Sequence, residues 1–135
     1  MIHFTTLHDM VAIHAGHAPA SPAISAPGAV PLSYLGVHQL IERTVESLNQ
    51  LGVGRGDRVA IVLPNCPEFA TAFVAVASAC TAAPLNMTYR ADEFEFYMND
   101  LGAKALIVAQ GIETPARAVA EKPKIRLVYY WDAKK

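Results

Sequence analysis

Residues 52–86 read GVGRGDRVAIVLPNCPEFATAFVAVASACTAAPLN, and this stretch decides the fold. Residues 59–63 are apolar without alternation, which is typical of a strand buried on both faces of a sheet. Residues 66–80 are rich in alanine and long enough for about four helical turns, and residues 81–85 are a second short strand. Because strand, helix and strand in this order form a βαβ unit, the stretch predicts parallel strands joined by a right-handed crossover.

The residues of the two connections around the first predicted strand can be explained by structural roles, without a bound ligand. The glycine-rich residues 52–57 follow a predicted helix and open a strand, whereas phosphate-binding glycines follow a strand and open a helix. We therefore interpret them as a tight connection. Residues 64–68 follow a strand and precede a helix, which is the usual position of a ligand-binding loop. However, Asn65 as the N-cap and Glu68, whose side chain reaches back to it, predict a capping box. This structural role explains the residues of the loop.

Hydrophobic periodicity, caps and turn residues predict the rest of the chain. The other predicted elements are helices over residues 6–15, 34–51, 91–101 and 115–121, and strands over residues 23–26, 31–33, 105–108 and 126–131. Ser33 is the predicted N-cap of helix 34–51, and Gly52 and Gly102 are predicted to end helices. The predicted fold class is α/β, a doubly wound and mostly parallel sheet with helices on both faces.

Two predicted helices have a distinctive apolar pattern. Helix 66–80 is apolar all round, which predicts burial on several sides by layers that extend beyond this sheet. Helix 91–101 has acidic residues in its first turns, which suits the helix dipole. Its predicted core face consists of Phe94, Tyr97, Met98 and Leu101.

Composition narrows the class of protein. The chain has 135 residues, 53% of them hydrophobic, and a net charge of −1, so we expect one globular unit with a sizeable core. The charge gives no reason to expect nucleic acid as a partner. The uncharged run 69–89 contains too many polar residues and a strand, so we expect no membrane span, and the N-terminus does not resemble a signal peptide.

The cysteines and histidines predict neither a disulfide nor a metal site. Cys66 and Cys80 lie on one predicted helix, roughly 20 Å apart, which is too far for a disulfide and favours a reduced, cytoplasmic protein. The pKa of a thiol near a helix N-terminus, such as Cys66, can fall, although a partly buried filler is the favoured interpretation. Of the five histidines only His14 and His17 are close in sequence, and we predict no metal ligands.

Several segments together resemble a known family. They are Leu32-Ser33-Tyr34, LGVGRGDRVAIVLPNCPEF at 51–69 and APLNMTYRADEFEFYMNDLGAKALIV at 83–108. In this order and spacing they resemble the N-terminal region of the adenylate-forming (AMP-binding) superfamily, which includes acyl-CoA synthetases, luciferases and nonribosomal-peptide adenylation domains. Residues 83–101 are most similar to the oxalyl-CoA synthetase branch of acid–CoA ligases. The resemblance covers nearly the whole chain from Thr6 onward.

The resemblance implies a two-step reaction in a complete enzyme. A carboxylate attacks the α-phosphate of ATP in the presence of Mg²⁺, and the thiol of coenzyme A then displaces AMP. The family's phosphate loop and its C-terminal domain have no counterpart here, so residues 1–135 are expected to be a partial N-terminal subdomain that is inactive alone and has no catalytic residue of its own. The implied partners are a small carboxylic acid, CoA, and either the remainder of the same polypeptide or a second copy, through exposed apolar surface.

Arg90 is the one residue that we predict to contact a cofactor. It lies between the end of a predicted parallel strand and the start of a helix, where open α/β sheets gather ligands. By resemblance, a basic residue in this loop can meet the phosphates of the CoA nucleotide. The alternative is a surface arginine that pairs with Glu93.

The chain departs from the family pattern at two positions. Gly36 stands where a Glu is common, which removes a capping partner and places a glycine in a helix, at a cost of roughly 1 kcal/mol. Met87 replaces a proline, so the loop before Arg90 is expected to be less rigid. Two other functions remain open on this sequence: a stand-alone α/β binding or interaction module, and a pseudoenzyme subunit that completes the sheet of another chain.

Overall fold

A computed structural model describes residues 4–132 of the chain, and for residues 131 and 132 it describes the backbone only. The elements, in chain order, are α1 (Leu7–His17), β1 (Pro22–Ile24), β2 (Leu32–Ser33), α2 (Tyr34–Gln50), β3 (Arg58–Val62), α3 (Pro67–Ala79), β4 (Thr81–Pro84), α4 (Ala91–Leu101), β5 (Ala105–Gln110), α5 (Pro115–Glu121) and β6 (Arg126–Asp132). Every predicted helix and strand is present, with ends that differ by up to two residues.

The centre of the molecule is a four-stranded parallel sheet in the order β4-β3-β5-β6. Val59 of β3 stands opposite Ala82 of β4 and Ala105 of β5, so β3 is paired on both sides. A separate antiparallel pair, β1 with β2, lies outside this sheet. A helix follows each of β3, β4 and β5 and leads to the next strand, which confirms the predicted doubly wound α/β fold.

Side chains of β3 alternate between two hydrophobic clusters, one on each face of the sheet. Val59 and Ile61 pack with residues of α2 and α3, whereas Ala60 and Val62 pack with residues of α4 and α5. Both faces are therefore covered, as the continuous apolar run predicts. Full burial of each large apolar side chain contributes about 1.5–3 kcal/mol.

A third hydrophobic cluster lies on the outer side of α2 and α3. Val11 of α1 packs there with Val37 and Ile41 of α2 and Ala75 of α3. The helix α1 thus forms an additional layer over the α2–α3 face.

The predicted capping box of α3 is wrong. The N-cap is Cys66, which has an extended backbone (φ −153°), and no side chain caps the helix. The reason is Pro67 at the first helical position, because a residue before proline is pushed out of the α region. Asn65 consequently lies one residue too early to cap.

The helix α3 is only partly covered within the described residues, which agrees with the expectation that a layer covering it need not lie within this chain. Thr71, Ala72, Ala75 and Val76 are buried, but Phe73 is 38% exposed. The sheet, α2 and α1 together cover only part of the circumference of the helix.

The other predicted caps are confirmed. The Ser33 Oγ accepts a hydrogen bond from the Gly36 amide at 3.1 Å, and Gly52 and Gly102 end their helices with φ of 76° and 58°. A Cβ at Gly36 would approach Leu32 Cδ1 to 2.6 Å, so β2 folds over this glycine.

The predicted core face of α4 is correct for Phe94 and Met98, which are fully buried. Tyr97 does not belong to it. Its side chain is 37% exposed, and its ring stacks on Tyr89 at a centroid distance of 5.1 Å. Tyr97 therefore packs on the loop before α4. A residue of the core would instead pack against the sheet.

Within residues 4–132, the helices are each too short or too polar to cross a membrane.

Candidate functional site

The carboxyl ends of the parallel strands form the candidate site. From β3 the chain moves outward to β4 and then returns past β3 to β5, so the order of the strands reverses at β3. In open α/β sheets ligands bind outside the carboxyl ends of the strands at such a reversal. The edge that carries the loops after β3, β4 and β5 is therefore where a ligand is expected.

A cavity of about 480 Å³ opens at this edge, between the loops that follow β3 and β4. Its lining consists of Leu63, Pro64, Asn65, Phe69, Pro84, Leu85, Asn86, Met87 and Thr88. The polar groups in this lining are amides and hydroxyls, and the remainder is apolar, a composition that is common in ligand pockets.

The loop after β4 is ordered by its own hydrogen bonds. The Asn86 Oδ1 accepts from the Thr88 amide at 3.0 Å and from the Thr88 hydroxyl at 2.9 Å. Met87 packs against the cluster that contains Phe94. An asparagine turn and a partly buried side chain thus constrain the loop in place of the proline that Met87 replaces.

Arg90 is the N-cap residue of α4, and its side chain is 77% exposed. The guanidinium lies 3.3 Å from Asp92 Oδ2 and 3.9 Å from Glu93 Oε2. The Glu93 carboxylate also accepts a hydrogen bond from the Arg90 amide at 2.8 Å. The ion pair with Glu93, which the alternative interpretation predicts, is thus present. Arg90 lies two residues after Thr88, which lines the cavity, but Arg90 itself does not line it.

Arg117 is a second basic residue at this edge, and the sequence interpretation missed it. Its Nη2 donates to the Ala109 carbonyl at 2.7 Å, and the guanidinium lies 5.3 Å from the centre of the Tyr129 ring. Glu113 lies 3.9 Å away. A basic residue in the first turn of a helix after a strand is the same signal that indicated Arg90. Unlike Arg90, Arg117 is held against the sheet and anchors the end of β5.

The thiol of Cys66 does not behave as its position at the helix N-terminus predicts. Burial raises the pKa of Cys66 above its usual value, which agrees with the favoured interpretation of a partly buried filler and not with a lowered pKa. The Cys66 Sγ donates to the Pro64 carbonyl at 3.2 Å. Burial also raises the pKa of Cys80, to about 11, and both cysteines are free thiols.

ATP and Mg²⁺ do not fit the cavity at the carboxyl edge. Among the described residues that line it there is neither a lysine or arginine for a triphosphate nor a carboxylate for Mg²⁺. Arg90, which is exposed, lies two residues after Thr88 of this lining and is the cation available to a nucleotide phosphate such as that of CoA.

The family of the chain follows from its match to known proteins. Residues 11–135 match the family described as AMP-binding enzyme. The chain therefore belongs to the AMP-binding enzyme family, which confirms the resemblance drawn from residues 32–108.

The matching relatives are CoA ligases, and the chain corresponds to the N-terminal part of these longer proteins. It is 40% identical over 122 residues to an oxalate–CoA ligase of Arabidopsis thaliana, covering 89% of this chain and 24% of that protein. It is 41% identical over 105 residues to the probable CoA ligase CCL9 of Humulus lupulus, covering 76% and 20%. The chain thus spans about a quarter of the length of these relatives or less.

The fold agrees with this assignment. The N-terminal domain of FACL13 from Mycobacterium tuberculosis superposes with a TM-score of 0.73 and 26% identity, over 96% of this chain and 34% of that one. The α/β sheet described above is accordingly part of the larger N-terminal domain of the adenylate-forming fold.

Proposed function

We propose that the chain is the N-terminal segment of an ATP-dependent, AMP-forming acid–CoA ligase of the cytoplasm. The observation that carries this proposal is the family match over residues 11–135 together with the 40% identity to an oxalate–CoA ligase. Oxalate or a related small acid is the proposed substrate, since that relative is named for oxalate and residues 83–101 resemble the same branch.

The proposed role of this segment is to build the sheet and its carboxyl edge. In the complete enzyme the carboxylate becomes an acyl-adenylate with release of pyrophosphate, and CoA then displaces AMP. The lining of the edge cavity offers no cation for a triphosphate and no ligand for Mg²⁺ among the described residues. ATP and Mg²⁺ would thus be held by other parts of the polypeptide, and the segment alone is proposed to be inactive.

Partners of the segment follow from its exposed apolar side chains. Phe73 on α3 and Phe96 on α4 are exposed, and they lie on helices that cover opposite faces of the sheet. We propose that the remainder of the polypeptide covers such positions in the complete enzyme, and that the isolated segment self-associates through them.

Arg90 is proposed to contact a phosphate of CoA. Its guanidinium is exposed, and its ion pairs with Asp92 and Glu93 are of the exposed kind that contributes about 0–1 kcal/mol. A phosphate can therefore displace these carboxylates at little cost. The amino end of α4 supplies a favourable dipole for the same anion.

Substitution of Arg90 in the complete enzyme tests this contact. We expect Arg90→Ala to raise the KM for CoA about tenfold, because a hydrogen bond to a charged group contributes roughly 1.5 kcal/mol. Acid-dependent exchange of pyrophosphate into ATP should not change, since it precedes CoA binding. Arg55→Ala is the matched control, because Arg55 is exposed in the turn before β3, at the opposite edge of the sheet. An unchanged KM for CoA in Arg90→Ala would reject the contact.

The function itself is tested by the same exchange reaction. The complete protein is expected to exchange pyrophosphate into ATP when oxalate is present, and the 135-residue chain alone is expected to show neither exchange nor tight binding of ATP or CoA by calorimetry. A complete protein that shows no exchange with oxalate, fatty or aromatic acids contradicts the proposal and favours a binding module or a pseudoenzyme subunit.

A further inference from the structure

Two histidines and a glutamate meet where α1 packs on α2. His8 belongs to α1, and His38 and Glu42 lie one turn apart on α2. One ligand atom of each residue, an imidazole nitrogen or a carboxylate oxygen, lies within 4.8 Å of the others. The three side chains are partly or largely exposed, and the proposed ligase function makes no use of them.

The distances in this cluster are close to those around a tetrahedral metal ion. The His8 Nε2 lies 2.5 Å from Glu42 Oε1, and the His38 Nε2 lies 3.8 Å from the same oxygen. Bonds of about 2.0–2.1 Å to a tetrahedral Zn²⁺ place neighbouring ligand atoms about 3.3 Å apart. Both distances differ from that value by less than about 1 Å, which small side-chain rotations can supply.

The helix packing beneath the cluster holds its members in register. Val11 of α1 is buried against Val37 and Ile41 of α2. The two ligands on α2 are four residues apart and therefore share one face of that helix. The site is thus assembled by the hydrophobic contact of the two helices before any ion binds.

A carboxylate, that of Asp9, lies close to the other ring nitrogen of His8. The Asp9 Oδ1 lies 3.8 Å from His8 Nδ1, and the Thr5 hydroxyl donates to Asp9 Oδ2 at 2.7 Å. Because the His8 Nε2 points at Glu42, the Nδ1 faces this carboxylate, and a small side-chain rotation would give the hydrogen bond of a carboxylate–histidine–zinc arrangement.

We propose that His8, His38 and Glu42 form a site for a divalent transition-metal ion of the Zn²⁺ type that cross-links α1 to α2. Two imidazoles and one carboxylate leave a fourth position for water. Nitrogen donors select such ions over Mg²⁺ and Ca²⁺, which bind oxygen. In the absence of metal, the same atoms form the His8–Glu42 hydrogen bond.

Calorimetry and thermal unfolding of the chain with Zn²⁺ test the proposal. We expect one Zn²⁺ per chain and a melting temperature that rises with Zn²⁺, because an ion that binds only the folded state at 100 times its Kd raises the folded-to-unfolded ratio about 100-fold. Mg²⁺ at the same concentration should give no shift. A wild-type chain with no saturable binding of Zn²⁺ overturns the proposal without reference to any variant.

Variants and a spectroscopic probe locate the ion. His8→Gln combined with His38→Gln should weaken Zn²⁺ binding at least tenfold, and Asp9→Asn should weaken it about tenfold because Asp9 faces the other ring nitrogen of His8. His17→Gln, an exposed histidine on the same helix, is the matched control and should leave the affinity unchanged. If the double variant does not fold, Glu42→Gln takes its place.

Co²⁺ separates this site from the two thiols of the chain. Bound to nitrogen and oxygen ligands, it should show tetrahedral d–d absorption without a thiolate-to-cobalt charge-transfer band. Zn²⁺ affinity that survives the loss of His8 and His38, or a strong thiolate band with Co²⁺, overturns the assignment.

Discussion

Two cysteines at the ends of α3 show how burial raises the pKa of a thiol. Cys66 is the N-cap, where the helix dipole favours a thiolate, yet burial raises its pKa. Cys80 packs against the cluster that contains Val76, and burial raises its pKa to about 11. Desolvation of the charged form therefore outweighs the dipole at Cys66, whereas at Cys80, at the C-terminal end of the helix, the dipole also disfavours the thiolate.

Alkylation with iodoacetamide at pH 8 tests this reading of the thiols. Cys80 should react on the order of a hundredfold more slowly than free cysteine, because a thiol with a pKa of about 11 holds very little thiolate at that pH. Cys66 should also react more slowly than free cysteine. The single variants Cys66→Ser and Cys80→Ser assign each rate by mass spectrometry, and a Cys66 that outpaces free cysteine would restore the helix-dipole interpretation.

At the scale of single elements, caps decide where helices begin and end. The helix α2 starts at a serine whose hydroxyl accepts from the Gly36 amide. The helix α3 starts at a proline and has no side-chain cap. The end of α4 is tied to the sheet, since Arg58 Nε donates to the Leu101 carbonyl at 2.7 Å.

Removal of the cap of α2 should destabilise the chain. Ser33→Ala is expected to lower the free energy of unfolding by about 1 kcal/mol, because one amide in the first turn loses its acceptor. Ser78→Ala is the matched control: its hydroxyl donates to the Val74 carbonyl inside α3, at 2.8 Å, and such bonds add little to a helix. Urea denaturation measures both changes. Equal losses in the two variants would show that the Ser33 cap is not what stabilises α2.

At the scale of the whole molecule, one carboxylate joins distant parts of the amino edge of the sheet. The Asp57 Oδ2 accepts from the Gly54 amide at 2.9 Å in the turn before β3 and from Lys104 Nζ at 3.2 Å just before β5. The Gly54 hydrogen bond, followed by the one from Lys104, lowers the pKa of Asp57 from its usual 3.8. The unfolded chain therefore binds a proton at Asp57 more readily than the folded chain.

This difference predicts part of the loss of stability in acid. The stabilisation by Asp57 is complete above a pH of about 3.8, the unfolded-state pKa, and is lost as the pH falls through the lowered folded-state pKa. Asp57→Asn should thus be less stable than the wild type at pH 6, and the gap should close below pH 3.8. Denaturation at a series of pH values measures it. Glu113→Gln, which removes a 94% exposed carboxylate, should stay within about 0.5 kcal/mol, and a gap for Asp57→Asn that persists in acid would contradict the argument.

The order of the elements, the parallel sheet and most helix ends could be predicted from the sequence, because each depends on nearby residues. The apolar run 59–63 indicated a doubly covered strand, and Ser33, Gly52 and Gly102 marked helix ends. The predicted cap of α3 failed through a local competition, because Pro67 excluded Asn65, whereas the interpretation of Cys66 as a partly buried filler agrees with its raised pKa. Arg90 was placed correctly at the start of α4, while its contact with CoA stays a prediction.

By itself, then, the sequence determined the α/β fold and, through motifs at 32–34, 51–69 and 83–108, the family. Only the tertiary structure decided which side chains meet across long separations. Asp57 and Lys104 are 47 residues apart and His8 and Glu42 are 34 apart, and hydrophobic periodicity carries no information on such pairs. The exposure of Phe73 and the cavity at the carboxyl edge were likewise settled by how the helices and loops pack around one sheet.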